Sequence, residues 1–278
     1  MMNIALNWLQ QGLSGVYITL ELSEELTSLR TDAMLTSMST KDIRRDIDTT
    51  TLKVKMVGKK SGTYQVKGLP AQSNINDIRS FLKEYQIQTG RQADFMMIDY
   101  LDLLMPVSAK VSPNDLFVKD KYVSEELRNL AKELGILMVT ASQLNRSAVE
   151  EIEFDHSHIS GGISKINTAD NVFGIFTSRA MRERGRYQIQ CMKSRSSTGV
   201  GMKVDLEYNI ETMRITDPGE DATPGTSHPD SIMNKIKSSS RVAESTDPDT
   251  GEISAPIKAD VNGSKLKSML AGIKAKST

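Results

Sequence analysis

The stretch FMMIDYL at residues 95–101 constrains the fold most. Four apolar residues run without alternation into Asp99. A short, uninterrupted run of this kind reads as a strand buried on both faces. Such strands occupy the middle of a parallel sheet whose crossovers are helices, so the expected class is α/β. An acid at the carboxyl end of such a strand stands at the edge where open α/β sheets bind their ligands. The competing reading is that Asp99 only caps the turn that follows.

The neighbouring segments fit this frame. Residues 1–11 read as a helix already under way, with Ile4, Leu6, Trp8 and Leu9 apolar and no capping residue ahead of them. Residues 15–22 (GVYITLEL) read as a strand by their β-branched and aromatic content. That strand ends in Glu21, and Ser23 followed by Glu24 and Glu25 caps the next helix. Residues 40–47 form a short polar helix. Residues 49–62 are ambiguous, because Thr and Val favour strand while the lysine spacing favours a solvated helix. Residues 63–69 read as a strand and residues 74–85 as a helix with Ile75, Ile78, Phe81 and Leu82 on one face. Residues 102–114 read as a loop and residues 119–134 as an amphipathic helix ended by Gly135. Residues 136–141 (ILMVTA) form another fully apolar strand, tipped by Ser142 and Gln143. Residues 148–170 read as a loop with Gly161 and Gly162 at its centre. Residues 171–177 read as a strand, and residues 187–194 and 200–208 as a hairpin with Lys193, Arg195 and Gly199 at its tip. From Asp217 the composition turns to Pro, Gly, Ser, Thr, Asp and Lys, which predicts a disordered tail over 217–278 with a short helix near 265–273.

Composition removes several functions. The 278 residues carry 35 basic and 35 acidic side chains, so no overall field pulls the chain to DNA or membrane. One Cys excludes an internal disulfide. The three His lack zinc-ligand spacing. No apolar run approaches the roughly 18 residues of a membrane span, and no signal segment opens the chain. These features read as a soluble, cytoplasmic protein.

The chemistry-bearing residues lie at strand ends. In nucleotide hydrolases an acid placed like Asp99 helps hold Mg²⁺ on the phosphates. Glu21 would be a second acid at the same edge, able to deprotonate or orient a water; a solvated strand end is the alternative. Gln143 suits a sensor that hydrogen-bonds a terminal phosphate, though a strand-end Gln is more often polar surface. Gly161 and Gly162 let backbone N–H groups approach a phosphate, and also simply make loops. Lys193 and Arg195 are either solvated surface or reach a neighbour's phosphate. Gly58-Lys59-Lys60-Ser61 is not a phosphate-binding loop, because G-x-x-x-x-G-K-[ST] needs Gly where Lys53 stands and Ser or Thr where Lys60 stands.

The order of these parts resembles the C-terminal RecA-like motor domain of the DnaB-type replicative helicases, most closely the form of T-even-type phages. The resemblance covers about residues 1–216. It rests on YITLELSEEL, MMIDYLDLL, VTASQLNRS and KSR before a glycine turn. It implies a RecA-like, mostly parallel sheet with flanking helices and a C-terminal hairpin. It also implies ATP and Mg²⁺, with Glu21 as general base, Asp99 holding Mg²⁺ through water, Gln143 sensing the γ-phosphate, and Arg195 as an arginine finger in trans beside Lys193. Residues 157–170 align with the loop that tracks single-stranded DNA, which points to Ser160, Gly161, Gly162 and Lys165. Bacterial members carry an Arg-Glu pair there where this chain has Ser160 and Gly161. The implied assembly is a hexameric ring on single-stranded DNA, served by a primase and a helicase loader, in the host bacterial cytoplasm if phage-encoded.

The family's phosphate-binding loop should end just before MMNIALNWLQQG, and its N-terminal collar domain should lie further upstream. Neither is in these residues. The expectations are a split helicase whose loop sits on a separate chain, a truncated reading frame, or a hydrolysis-dead interaction subunit. A RecA-like ATPase of recombination or clock type is a further alternative that shares the Glu and the Asp.

Overall fold

The computed structural model describes residues 1–107, 111, 115–143 and 163–219. The chain opens with α1 (Met2–Gln10) and β1 (Gly15–Thr19), followed by α2 (Glu24–Thr36), α3 (Thr40–Arg45) and α4 (Ile47–Gly58). Next come β2 (Tyr64–Gly68), α5 (Ile75–Thr89) and β3 (Phe95–Asp99), then a 3-10 turn over Leu101–Leu103. Then follow α6 (Leu116–Leu134), β4 (Leu137–Thr140), α7 (Ile163–Thr168) and β5 (Asn171–Phe176). The last described elements are α8 (Arg179–Glu183), β6 (Arg186–Ser194), β7 (Lys203–Tyr208) and β8 (Ile215–Thr216).

The first four strands form a parallel sheet in the order β2-β1-β3-β4. β3 is central, as its unbroken apolar run requires: Phe95, Met96, Met97 and Ile98 are each 0 % exposed. The period of two then sends them to opposite faces. Met96 and Ile98 join Ile75, Ile78, Phe81 and Leu82 of α5 and Val123, Leu127 and Leu130 of α6. Phe95 and Met97 join Met2, Ala5, Leu6 and Leu9 of α1 and Met34 of α2. Each such side chain stabilises the fold by roughly 1.5–3 kcal/mol through burial.

Local signals set the helix ends. Ser23 accepts the N–H of Leu26 at the start of α2. Asn74 and Asp77 form a capping box on α5. Gly90 and Gly135, both at positive φ, stop α5 and α6. The ambiguous segment 49–62 is largely the helix α4, capped by Asp46 accepting the Thr49 N–H at 3.0 Å. Its Thr and Val content yields to packing against α2 and α3, with Thr50 buried.

Three expectations are corrected. β1 ends at Thr19, so Glu21 lies in the turn beyond the strand, where the Thr19 hydroxyl donates to the Leu22 carbonyl and accepts the Leu22 N–H. β4 is not a doubly buried strand: among the described residues it pairs only with β3, and Leu137 is exposed. Residues 163–168 are helical where a loop was expected, because Lys165 and Ile166 turn inward and are buried.

β5 to β8 form a second, antiparallel sheet in chain order, with the expected hairpin as β6 and β7. β5 carries exposed Phe173 and Ile175 and pairs, among the described residues, only with β6. α8 and β8 escaped the sequence reading because five and two residues carry too little periodicity. All but residues 217–219 of the tail expected over 217–278, with its short helix near 265–273, lie outside the described residues. No described helix is long and apolar enough to cross a membrane.

Candidate nucleotide-hydrolysis site

The carboxyl edge of the parallel sheet gathers three of the expected residues. Thr19 and Asp99 are register partners of β1 and β3, and the Leu20 N–H donates to the Asp99 carbonyl at 2.8 Å. Glu21 therefore leaves the sheet beside Asp99, with its side chain exposed. Gln143 follows β4, the neighbour of β3 on the other side. Its Nε2 donates to Tyr100 Oη at 3.0 Å. The Tyr100 hydroxyl is pushed above its usual range by desolvation and then by the charges of Glu21, Asp102 and Asp99. The charges of those carboxylates thus act on one phenol, whose oxygen accepts the Gln143 amide.

Tyr17, buried on β1, donates its hydroxyl to Asp99 Oδ2 at 2.6 Å. Burial, and then this bond, raise the Tyr17 hydroxyl well above its usual range, so it stays a donor. The bond holds one Asp99 oxygen in place. The start of α1 lies near enough for the Asp99 charge to act on the Met1 amino group. Sequence reading missed Tyr17 because its contact with Asp99 depends on strand register. It also missed Asp102, although the spacing D-Y-L-D puts a second acid one turn beyond Asp99.

This edge fits part of a Mg²⁺-nucleotide site. Among the described residues no cluster of three or more acidic, His or Cys side chains could hold a metal directly. A single half-buried carboxylate such as Asp99 suits a metal held through its water shell.

Lys193 and Arg195 lie elsewhere, at the end of β6 against α7. Lys193 Nζ donates to the carbonyls of Ile166 at 2.6 Å and Asn167 at 3.1 Å. Arg195 donates to the Asn167 carbonyl at 2.6 Å and the Asp170 carboxylate at 3.1 Å. These cations satisfy carbonyls left open at the end of a helix. Desolvation, with Arg195 beside it, lowers Lys193 from its ordinary value. Within the chain, their hydrogen bonds do not reach Glu21, Asp99 or Gln143.

Asp170 also accepts from Arg128 of α6 at 2.8 Å. The Arg128 hydrogen bond, aided by the charges of Arg128, Arg195 and Lys132, holds the Asp170 carboxyl below the ordinary range. A depressed carboxyl stabilises the fold above its unfolded value of about 3.9, and that contribution is lost as pH falls through the folded value. An NMR titration of the Asp170 carboxyl should give a midpoint below the ordinary one, and Arg128→Ala should move it back up. A wild-type midpoint at the ordinary value would mean the contact does not form in solution.

Of the residues expected at DNA, Ser160, Gly161 and Gly162 lie outside the described residues. Lys165 lies on α7. It is only 8 % exposed, and its ammonium is paired with Asp102 and Asp120 rather than facing outward.

A parallel sheet with helices on both faces is the class of α/β fold that the RecA-like domains share, and solved structures agree. A solved DnaB-like replicative helicase, described with its primase interactions, superposes with TM-score 0.65 at 20 % identity, over 78 % of this chain and 53 % of that one. A solved ATPase domain matches with TM-score 0.63 at 19 % identity, over 78 % of this chain and 80 % of that one. The family model for the DnaB-like helicase C terminal domain matches residues 1–217, and the chain belongs to that family. It is 28 % identical over 199 residues to the DnaB-like replicative helicase of Enterobacteria phage T4, covering 69 % of this chain and 42 % of that protein. The chain therefore spans less than half the length of this curated relative.

Proposed function

We propose that this chain is the motor portion of a hexameric replicative helicase that couples ATP hydrolysis to movement along single-stranded DNA and to duplex unwinding. The observation that carries the reading is the convergence of Glu21, Asp99 and Gln143 on one sheet edge around Tyr100. Glu21, exposed beside Asp99, takes the proton of the attacking water. Asp99, fixed by Tyr17, holds the water shell of Mg²⁺, which when bound neutralises charge on the phosphates. Gln143 orients toward the terminal phosphate. Arg195, with Lys193 beside it, serves the neighbouring protomer's site in trans, which agrees with its distance in contacts from the edge of its own subunit.

Among the described residues β4 pairs only with β3, which leaves room for one further strand there, and a glycine-rich phosphate-binding loop, a motif that residues 1–278 do not contain, completes the site from the same or a separate polypeptide. Contact with single-stranded DNA falls to backbone amides near Ser160, Gly161 and Gly162, which hold phosphates without reading sequence. A primase and a helicase loader are the proposed protein partners, in a bacterial cytoplasm.

The test is ATP hydrolysis stimulated by single-stranded DNA in the complete helicase, comparing wild type with Glu21→Gln. The variant should lose about 10²–10⁴ in kcat and still bind nucleotide. Undiminished turnover would remove Glu21 from the chemistry. An absence of hydrolysis in the wild type, with any loop-bearing fragment added, would favour a hydrolysis-dead interaction subunit.

A further inference from the structure

The Gln143 side chain faces Tyr100, but Asp102 holds the backbone that aims it. Asp102 Oδ2 accepts the Gln143 N–H at 3.2 Å, and the Asp102 carboxylate also accepts the Ser142 hydroxyl at 3.2 Å. The same carboxylate is ion-paired with Lys165 of α7. Lys165 Nζ also donates to Ser142 Oγ at 3.0 Å and pairs with Asp120 of α6 at 2.6 Å. Lys165 and Asp120 are 8 % and 3 % exposed. A buried ammonium is retained only where its charge is matched, so this cluster has a defined geometry. Lys165 thus reaches from α7 back to the β4 tip, while the end of α7 takes the hydrogen bonds of Lys193 and Arg195.

We propose that Lys165 is a positioning residue for Gln143: through Asp102 and Ser142 it fixes the strand tip that carries the glutamine, and ties that tip to the helix that also anchors Lys193 and Arg195. The proposal rests on the reading of Gln143 as the phosphate sensor. It gives Lys165 work inside the protein in place of contact with DNA. The aim of Gln143 and the seat of the arginine finger then depend on one short helix.

The first test needs no nucleotide. In the 278-residue chain, Lys165→Met should speed amide hydrogen exchange at Gln143 by about tenfold or more, while the amides of Ile98 and Leu127 keep their protection. That variant takes Lys165 from Asp102 and leaves Asp120 paired with Lys119 at 3.4 Å, so a second, Lys165→Met with Asp120→Asn, removes the altered buried charge and leaves Asp102, whose side chain keeps 19 % exposure and reaches water. Both should behave alike, and Asp120→Asn alone should leave Gln143 protected. In the complete helicase, Lys165→Met should lower kcat about tenfold or more with KM within about threefold, and add no further loss to Gln143→Ala. Unchanged exchange at Gln143, or additive losses in the double variant, overturns the proposal. If Gln143→Ala itself leaves kcat unchanged, the sensor reading fails, and the exchange data still decide what Lys165 does.

Discussion

Replacing Arg195 with alanine is expected to slow ATP hydrolysis by the assembled ring about 10³–10⁵-fold, with nucleotide affinity nearly unchanged. At about 1.36 kcal/mol per factor of ten, the guanidinium is being asked for roughly 4–7 kcal/mol of transition-state stabilisation. Its contacts inside its own subunit cannot supply an effect of that size. The bond to Asp170 joins two exposed side chains, and the bond to the Asn167 carbonyl is a single one. Exposed pairs contribute about 0–1 kcal/mol, so the variant should melt close to wild type. Mixing subunits separates the two placements of the finger. An in-trans finger predicts that Arg195→Ala subunits mixed with Glu21→Gln subunits recover part of the activity, because some sites then pair an intact Glu21 with an intact Arg195. A finger acting in cis predicts no recovery, since every subunit would lack one of the two.

The largest expected effect on stability is at Phe95. Phe95→Ala should cost about 3–5 kcal/mol in denaturant unfolding. The ring is fully buried, and Trp8 meets it edge-on at 5.3 Å between centroids. Its neighbour in register on β1 is Gly15, where a Cβ would stand 2.4 Å from the Phe95 ring. The glycine is what lets the ring lie against β1, so removing the ring leaves a hole that Gly15 has no side chain to fill. Phe95 also belongs to the cluster that seats α1 on the sheet. Loosening α1 should therefore accompany the loss of stability, read as faster amide exchange at Leu6 and Leu9. A loss under about 1 kcal/mol would mean the site collapses around the gap, and would contradict the tight packing described.

The sequence by itself determined the parallel sheet and its central strand. An unbroken apolar run such as Phe95–Asp99 has few homes other than a doubly covered strand, and the capping signals at Ser23, Asn74 and Gly135 act within one helical turn. Asp99 was legible for the same reason: the last residue of a buried strand must emerge at the sheet edge, and Gln143 was legible as following the neighbouring apolar run that forms β4. The roles at that edge came from resemblance, not from spacing.

Only the tertiary structure decided which side chains meet across elements. Tyr17 reaches Asp99 through the register of β1 against β3. Arg128 of α6 meets Asp170 across 42 positions of chain. Lys165, which the resemblance alone placed at DNA, turns inward to Asp102 and Asp120. A lysine's charge says nothing about its direction. That direction follows from where unmatched carboxylates are buried, and burial is a property of the packed chain, set by pairs of residues far apart in sequence.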